Sequence, residues 1–363
     1  MERAKNGWTG GQYSALRVAL ACCALLHGVD LWLLSDGGSA LQRWGAVGLL
    51  AVIALPLALG TLDRVAAVAL AVMLLLHRFL EGLPELLTAW PAFESILLLH
   101  AFVPAAPYGA WTARGRPDPG GGWRLPDRLH DAAWLVVGLS HLLAGLTATT
   151  SEAWLAAASS LEWALCAVHL AFLPLALVPG GRPLALGLGL TSLLAGPLDG
   201  SLVLAVGAHL ACFTPAWLAP QPGPPQTLFY DGECGLCHRA VRFFLAEDPE
   251  GEALRYAPLS SPAFTERVPA AIREALPDSL VMVTDAQDLH VRSQAVLLSL
   301  DRLGGGWRIA AWTMRLFPAV LRDSVYDLVA AHRRRLFEVP VEACPLVPPN
   351  LRGRFITEPP SDS

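Results

Sequence analysis

The first 220 residues carry apolar runs near 15–34, 44–60, 65–80, 93–107, 132–148, 155–178, 184–196 and 201–218, with few ionisable side chains interrupting them. Backbone polar groups cannot be left unpaired in hydrocarbon, so runs of this kind can cross a bilayer only as helices. A span needs about 20 residues, or about 17 at the short end. The first and sixth runs meet that alone. The run at 184–196 is too short to cross unless tilted or broken, and Gly187, Gly189 and Gly196 suit an irregular segment. The expectation is an α-helical polytopic membrane bundle of seven or eight spans.

Charge asymmetry favours eight. With a cytoplasmic N-terminus, the inner side collects Arg3, Lys5, Arg17, Arg64, Arg114, Arg116, Arg124, Arg128 and Arg182, while the outer side receives Arg43 and Arg78. An even number of spans returns the C-terminal half to the cytoplasm, as in a multi-pass protein of a bacterial inner or plasma membrane. Arg3, Lys5 and the GGSA at 37–40 resemble a secretory signal, but the apolar stretch between them exceeds the usual 7–15 residues or so, and reads as an uncleaved helix.

The remainder of the chain is built differently. Residues 1–220 hold 11 Lys+Arg and 13 Asp+Glu; residues 221–363 hold 15 and 18 in a shorter stretch. The overall 54% hydrophobic content therefore averages a membrane domain (1–220) with a globular one (227–363). Between them, TPAWLAPQPGPPQ at 214–226 is rich in proline, which disfavours helix and stiffens a spacer, so 221–226 reads as a linker. A formal net charge of -5 without a basic patch makes nucleic acid an unsuitable partner.

The globular part opens on LFYDGECGLCHRAVRFF (228–244): a short apolar strand, an acidic glycine turn, then two cysteines three apart on an amphipathic helix. Cys234 at a helix N-terminus faces unpaired N–H groups and the positive end of the macrodipole, which favour a thiolate. Cys237, one turn on, can resolve a mixed disulfide formed by Cys234. Asp231 has two readings: a buried acid that shuttles the Cys237 proton, or a turn residue that satisfies nearby N–H groups. His238 is expected to be exposed on the helix and to support a thiolate. Arg239 and Arg242 could lower the Cys234 pKa or simply form a solvated face. Cys-Gly-Leu-Cys-His is also the pattern of covalent haem attachment, and paired cysteines can hold a structural metal. A cytoplasmic location argues against haem attachment and favours a resting dithiol that reduces partners, because cytosolic thiols are kept reduced.

Downstream, strands are expected near Leu254–Tyr256, Leu280–Val283 and Leu289–Arg292, with helices around Ala263–Ala275 and Ala295–Leu303. Strand, Cys helix, strand, helix, hairpin, helix is the thioredoxin plan, making the chain a membrane bundle followed by an α/β thioredoxin-like domain. Pro277, ahead of the third strand, stands where such folds place a cis-proline facing the sulfurs.

Asp231-Gly-Glu-Cys234-Gly-Leu-Cys237 resembles the D-x-x-C-x-x-C signature of the DCC family of thiol-disulfide oxidoreductases. SQAVLLSLDRLGGGWRIAAW (293–312), LRDSVYDLVAAHRRRLF (321–337) and Cys344-Pro345 extend the resemblance over about 226–356. It implies a thioredoxin-like fold and dithiol chemistry, with Cys344 either a third redox partner or a packed small apolar residue. VPAAPYGAWTARGRPDPGGGWRLP (103–126), LTATTSEAWL (146–155) and GAHLACFTPAWL (207–218) resemble the HTTM group of membrane proteins, distantly similar to vitamin K-dependent carboxylases. Relatives of that group often carry Lys in the segment matching LTATTSEAW. Here Ala148 and its neighbours stand instead, so no carboxylase residue is carried over.

His27, His100, His141, His169 and His209 fall inside apolar runs, with Asp30, Glu94 and Glu162 nearby. Such residues at membrane depth are costly and often functional; they could hold haem or a metal, receive a quinone headgroup, or bond helices together. Cys22, Cys23, Cys166 and Cys212 read as inert core residues. Arg333–Arg335 close an amphipathic stretch beginning near Ile309 and read as a lipid contact or a charged helix end. The leading expectation is a membrane-tethered oxidoreductase that needs no cofactor beyond its dithiol and exchanges disulfides with a partner protein or small thiol. The alternatives are a transporter or scaffold with a redox-sensing module, and a haem- or quinone-linked electron carrier.

Overall fold

A computed structural model describes residues 5–33, 39–81, 91–195, 200–284, 286–336 and 348–356. The chain divides into two compact units: Met1–Asn6, Tyr13–Thr112 and Leu125–Phe213 form the first, and Gly7–Gln12, Ala113–Arg124 and Thr214–Ser363 the second.

Helices dominate the first unit: α1 (Gly10–Leu33, whose first residues belong to the second unit), α2 (Ala40–Leu59), α3 (Asp63–Glu81), α4 (Ala92–His100), α5 (Asp127–Thr150), α6 (Glu152–Ala157), α7 (Ser160–Leu177), α8 (Arg182–Leu193) and α9 (Gly200–Cys212). Local chemistry sets several ends. Ser39 and Gln42 form a capping box at the head of α2, and Gly60, at φ 69°, ends it in the left-handed region that glycine tolerates. The sixth apolar run is interrupted: Ser159 and Glu162 form a second capping box, so α7 begins at Ser160. α5 packs closely on α7 because Gly138 and Gly145 leave room for Leu173 and Leu170; an added Cβ would sit 2.6 and 2.8 Å from those side chains.

Among the described residues, four helices are long and apolar enough to cross a membrane: Gly10–Asp30 within α1, then α2, α5 and α7. α3 is 19 residues long but carries Asp63, Arg64, Arg78 and Glu81. α4, α8 and α9 have 9, 12 and 13 residues. The run at 93–107 holds only the short α4 because the chain turns at Ala101 and Pro104 follows.

The second unit is built on a four-stranded mixed sheet of β1 (Gln226–Tyr230), β2 (Leu254–Pro258), β3 (Val281–Val283) and β4 (Leu289–Val291), in the order β2-β1-β3-β4. β1 is parallel to β2, pairing Gln226 with Leu254, and antiparallel to β3, pairing Leu228 with Met282. β3 and β4 form an antiparallel hairpin. Side chains alternate across β1 with the strand's period of two. Leu228 and Tyr230 join Tyr256, Met282, Val241, Phe244 and Leu297 on one face, whereas Phe229 joins Val281, Val283, Phe264 and Val268 on the other.

Helices complete the two layers: α10 (Gly235–Glu247), α11 (Pro262–Arg267), α12 (Ala270–Ala275), α13 (Arg292–Leu303), α14 (Gly305–Arg315), α15 (Ala319–Leu336) and α16 (Pro349–Arg352). Two expected helical stretches are each split by proline, at Pro269 between α11 and α12 and at Pro318 between α14 and α15. The proline-rich segment is packed rather than free. Its carbonyls have few N–H partners of their own, and Arg302 of α13 donates to those of Pro222, Gly223 and Pro224 at 3.4, 3.3 and 2.6 Å.

Residues 7–12 are tied into this unit by Glu247 at the end of α10. Its buried carboxylate accepts the Thr9 hydroxyl, the Gly11 N–H at 2.7 Å and the Trp307 indole N–H at 2.6 Å. Burial raises its pKa above the ordinary carboxylate value, with those donors opposing. The other inserted segment, 113–124, is held by the Arg124–Glu250 pair at 2.9 Å.

Candidate active site

β1 ends at Asp231, and the turn after it delivers Cys234 to the head of α10. Cys234 is the N-cap residue, with extended backbone at φ -100°, ψ 116°. Its carbonyl accepts the His238 N–H at 3.1 Å and its N–H donates to the Asp231 carbonyl at 3.3 Å. Asp231 Oδ1 accepts the Glu233 N–H at 2.9 Å, an Asx turn that stiffens the approach. From the other side, His238 Nε2 donates to the Gly232 carbonyl at 2.8 Å, and its ring stands edge-on to Tyr230 at 5.8 Å.

Both cysteines are free thiols, each only 4% exposed. The Cys234 sulfur stands close enough to act on the Cys237 thiol, and the Asp231 N–H also reaches the Cys237 sulfur. Burial, then the Cys234 sulfur beside it, pushes the Cys237 thiol up to about 12, with Arg333 and the Asp231 N–H pulling the other way.

Arg333 comes from α15, 102 positions beyond Asp231, with a side chain only 2% exposed. It donates to Asp231 Oδ2 at 3.2 Å and to Asp278 Oδ1 at 2.5 Å. Burial disfavours its charge, but the Asp278 bond and the facing sulfurs of Cys234 and Cys237 outweigh that, and its pKa is raised. Seven residues earlier on the same helix, the Tyr326 hydroxyl accepts the Leu280 N–H at 2.9 Å. Burial raises that phenol, and the Cys237 sulfur adds to the effect.

Several expectations are corrected here. His238 is buried, not exposed, because its ring closes the acidic turn; the same bond occupies the nitrogen that a haem iron would need. Arg242 donates to the carbonyls of Arg116 and Pro117 instead of serving the sulfurs. Arg239 is exposed on α10. No described peptide bond is cis, so the bond before Pro277 is trans. Arg333 is neither a lipid contact nor merely part of a charged helix end but a buried brace. Its signal in the sequence was the seven-residue spacing from Tyr326, which puts both on one face of a helix. Cys344 lies outside the described residues.

In the first unit, three of the five expected histidines meet. His141 Nδ1 lies 2.8 Å from His169 Nδ1, and His141 Nε2 lies 2.9 Å from His209 Nε2. His209 Nδ1 donates to the Ala205 carbonyl at 2.7 Å. With one proton per ring, that carbonyl dictates the rest: His141 Nε2 donates to His209, and His169 Nδ1 donates to His141. Because His141 spends both nitrogens on its neighbours, the chain bonds α5, α7 and α9 together. His100 instead meets the Tyr13 hydroxyl at 2.6 Å and Asp63 at 3.4 Å. Glu94 pairs with Arg78 at 3.2 Å. Cys22 is exposed, whereas Cys23, Cys166 and Cys212 are buried as expected.

Two free thiols at the head of a helix that follows the central strand of a small mixed sheet are an arrangement suited to thiol–disulfide exchange. Comparison with known proteins agrees. Residues 228–339 match the family described as DCC1-like thiol-disulfide oxidoreductase. The uncharacterized protein YuxK of Bacillus subtilis is 31% identical over 137 residues, which is 37% of this chain and 95% of that protein. A chloroplastic DCC family protein of Arabidopsis thaliana is 26% identical over 110 residues, 30% of this chain and 63% of that protein. No solved structure matches the chain significantly. The chain belongs to the DCC1-like thiol-disulfide oxidoreductase family.

Proposed function

We propose that the second unit is a thioredoxin-like thiol-disulfide oxidoreductase carried by a polytopic, HTTM-like membrane unit. The observation that carries this reading is the pairing of Cys234 at the N-cap of α10 with Cys237 one turn on, both buried and facing Arg333. The strand order, with β1 parallel to β2 and antiparallel to β3, supports the fold assignment.

In this reading Cys234, as the thiolate, attacks one sulfur of a partner disulfide. The partner S–S bond breaks, its leaving thiolate takes up a proton, and a mixed disulfide remains on Cys234. Cys237 then gives up its proton and attacks Cys234, forming the Cys234–Cys237 disulfide and releasing the second partner thiol. The partner gains two electrons and two protons, and a thiol reductant restores the dithiol. Cys237 is the resolving group because its thiol is held protonated until the mixed disulfide forms. Asp231, with one oxygen on the Glu233 N–H and the other on Arg333, braces the turn. The dithiol is its own redox group, and the partner is a protein disulfide or a small thiol. The arginine asymmetry of the first 220 residues supports a cytoplasmic, reducing site.

The test uses the full chain in detergent, assayed for insulin reduction with a thiol regenerant. Cys234→Ser is expected to abolish turnover and Cys237→Ser to accumulate a mixed disulfide. Equal turnover by wild type and Cys234→Ser would overturn the reading.

A further inference from the structure

We propose that the outer face of α15, together with the turn that leads into it, lies in the headgroup–acyl boundary of the lipid bilayer. This rests on reading the first unit as membrane-embedded. The starting point is an inverted helix. Val320, Leu321, Val325, Leu328 and Val329 are all exposed, Val320 by 80%. At about 100° per residue they gather on one side of α15. The opposite side faces the interior of the unit and carries its polar groups: Asp323 accepts the Ser293 hydroxyl at 2.5 Å, Tyr326 accepts the Leu280 N–H, and Arg333 holds Asp231 and Asp278.

The concentration is local. Among the described residues of the second unit, every exposed large apolar side chain except Ile272 lies between Ile309 and Val329. The turn between α14 and α15 is itself apolar, with Leu316 82% exposed and Phe317 beside it. A contiguous apolar patch of this kind marks an interaction surface and not ordinary solvent-facing scatter.

Composition and charge favour lipid as the occupant. The same chain carries, among its described residues, four helices long and apolar enough to cross a bilayer, so a bilayer is the apolar phase this patch would meet. The acids of α15 are largely neutralised: Asp323 points inward, and Asp327, half exposed at the edge of the apolar side, is paired with Arg292 at 3.0 Å. His332 is exposed at one end of it and Arg315, a third exposed and paired with Asp301 at 2.8 Å, stands at the other, so its margins carry basic groups, as suits a helix lying among anionic headgroups with its apolar face down. The bilayer would then touch one face of the helix whose other face braces the dithiol, a separation of about one helix diameter, ~10 Å.

The test uses the full chain reconstituted in phosphatidylglycerol–phosphatidylethanolamine vesicles. An environment-sensitive fluorescent amino acid is encoded in place of Val320, of Leu328 or, as an exposed control, of Ile272. Phospholipids brominated in the acyl chains are expected to quench positions 320 and 328 roughly threefold more than position 272, with aqueous iodide showing the reverse order. Iodide access at 320 and 328 equal to that at 272 would overturn the proposal. So would protection from both quenchers with self-quenching that grows with protein density, the sign of a second copy on this face. Thiol titration of each variant reports folding. Release of the chain by alkaline carbonate would sink the membrane-embedded reading, while the quenching still decides the placement of α15.

Discussion

α10 and α15 are both amphipathic helices of the second unit, and they face opposite ways. α10 buries Val241, Phe244 and Leu245 against the sheet and leaves Arg239 in solvent. α15 buries Arg333 against Asp231 and exposes Val320, Val325 and Leu328. Hydrophobic periodicity defines two stripes on a helix, but which stripe turns inward depends on what it meets. The apolar stripe of α10 meets a sheet face in need of cover. The polar stripe of α15 meets two carboxylates and two sulfurs whose charge and desolvation the Arg333 guanidinium offsets.

The sharpest way to break the comparison is to place an acid on each apolar stripe. Val241→Glu buries an unpaired carboxyl under α10 and is expected to cost about 3–5 kcal/mol, read as a collapsed unfolding midpoint in denaturant. A loss below about 1 kcal/mol would mean that α10 does not pack as described. Next comes Arg333→Ala, which leaves Asp231 and Asp278 without their shared partner; the expected cost is on the order of 2 kcal/mol. Arg333→Ala should also slow alkylation of Cys237 near neutral pH, because the arginine draws that thiol down, and Arg333→Lys should recover part of the rate by restoring the charge.

The pH dependence sharpens the same contrast. A thiol whose folded pKa is raised leaves stability intact below the ordinary thiol value. As pH climbs from there to about 12, the unfolded chain ionises first and stability falls. Site-resolved alkylation of the reduced protein should therefore find Cys237 reactivity still rising with pH well beyond the range where an ordinary thiol levels off. The smallest effect belongs to the outer stripe: Val320→Glu should change the internal folding stability of the second unit by no more than about 0.5 kcal/mol, because the side chain packs against little within the fold. A loss comparable to that of Val241→Glu would show that the face is covered from within the fold.

Much of the dithiol corner was legible because its signals are local. The strand, acidic turn and paired cysteines occupy one short segment, and the N-cap position of Cys234 follows from it. The strand–helix order after it was readable from period-two and helical patterns, apart from the breaks at Pro269 and Pro318. His238 was misplaced because no local pattern tells an imidazole beside two cysteines whether a carbonyl awaits it; the Gly232 carbonyl became its partner only when the turn folded back. Arg333 and Asp278 escaped for a similar reason, lying 102 and 47 positions beyond Asp231. In the first unit the histidines within the apolar runs were conspicuous individually, yet which of them would meet depended on how α5, α7 and α9 pack.

What the sequence determined by itself was the division of labour. Apolar runs demand helices wherever water is absent, and a Cys-x-x-Cys after a strand sets two thiols one helical turn apart. What the tertiary structure alone decided was the environment of those sulfurs and the facing of α15. Burial and the approach of a guanidinium are properties of neighbours in space, and no stretch of chain encodes its neighbours' distances until the sheet and helices close around it.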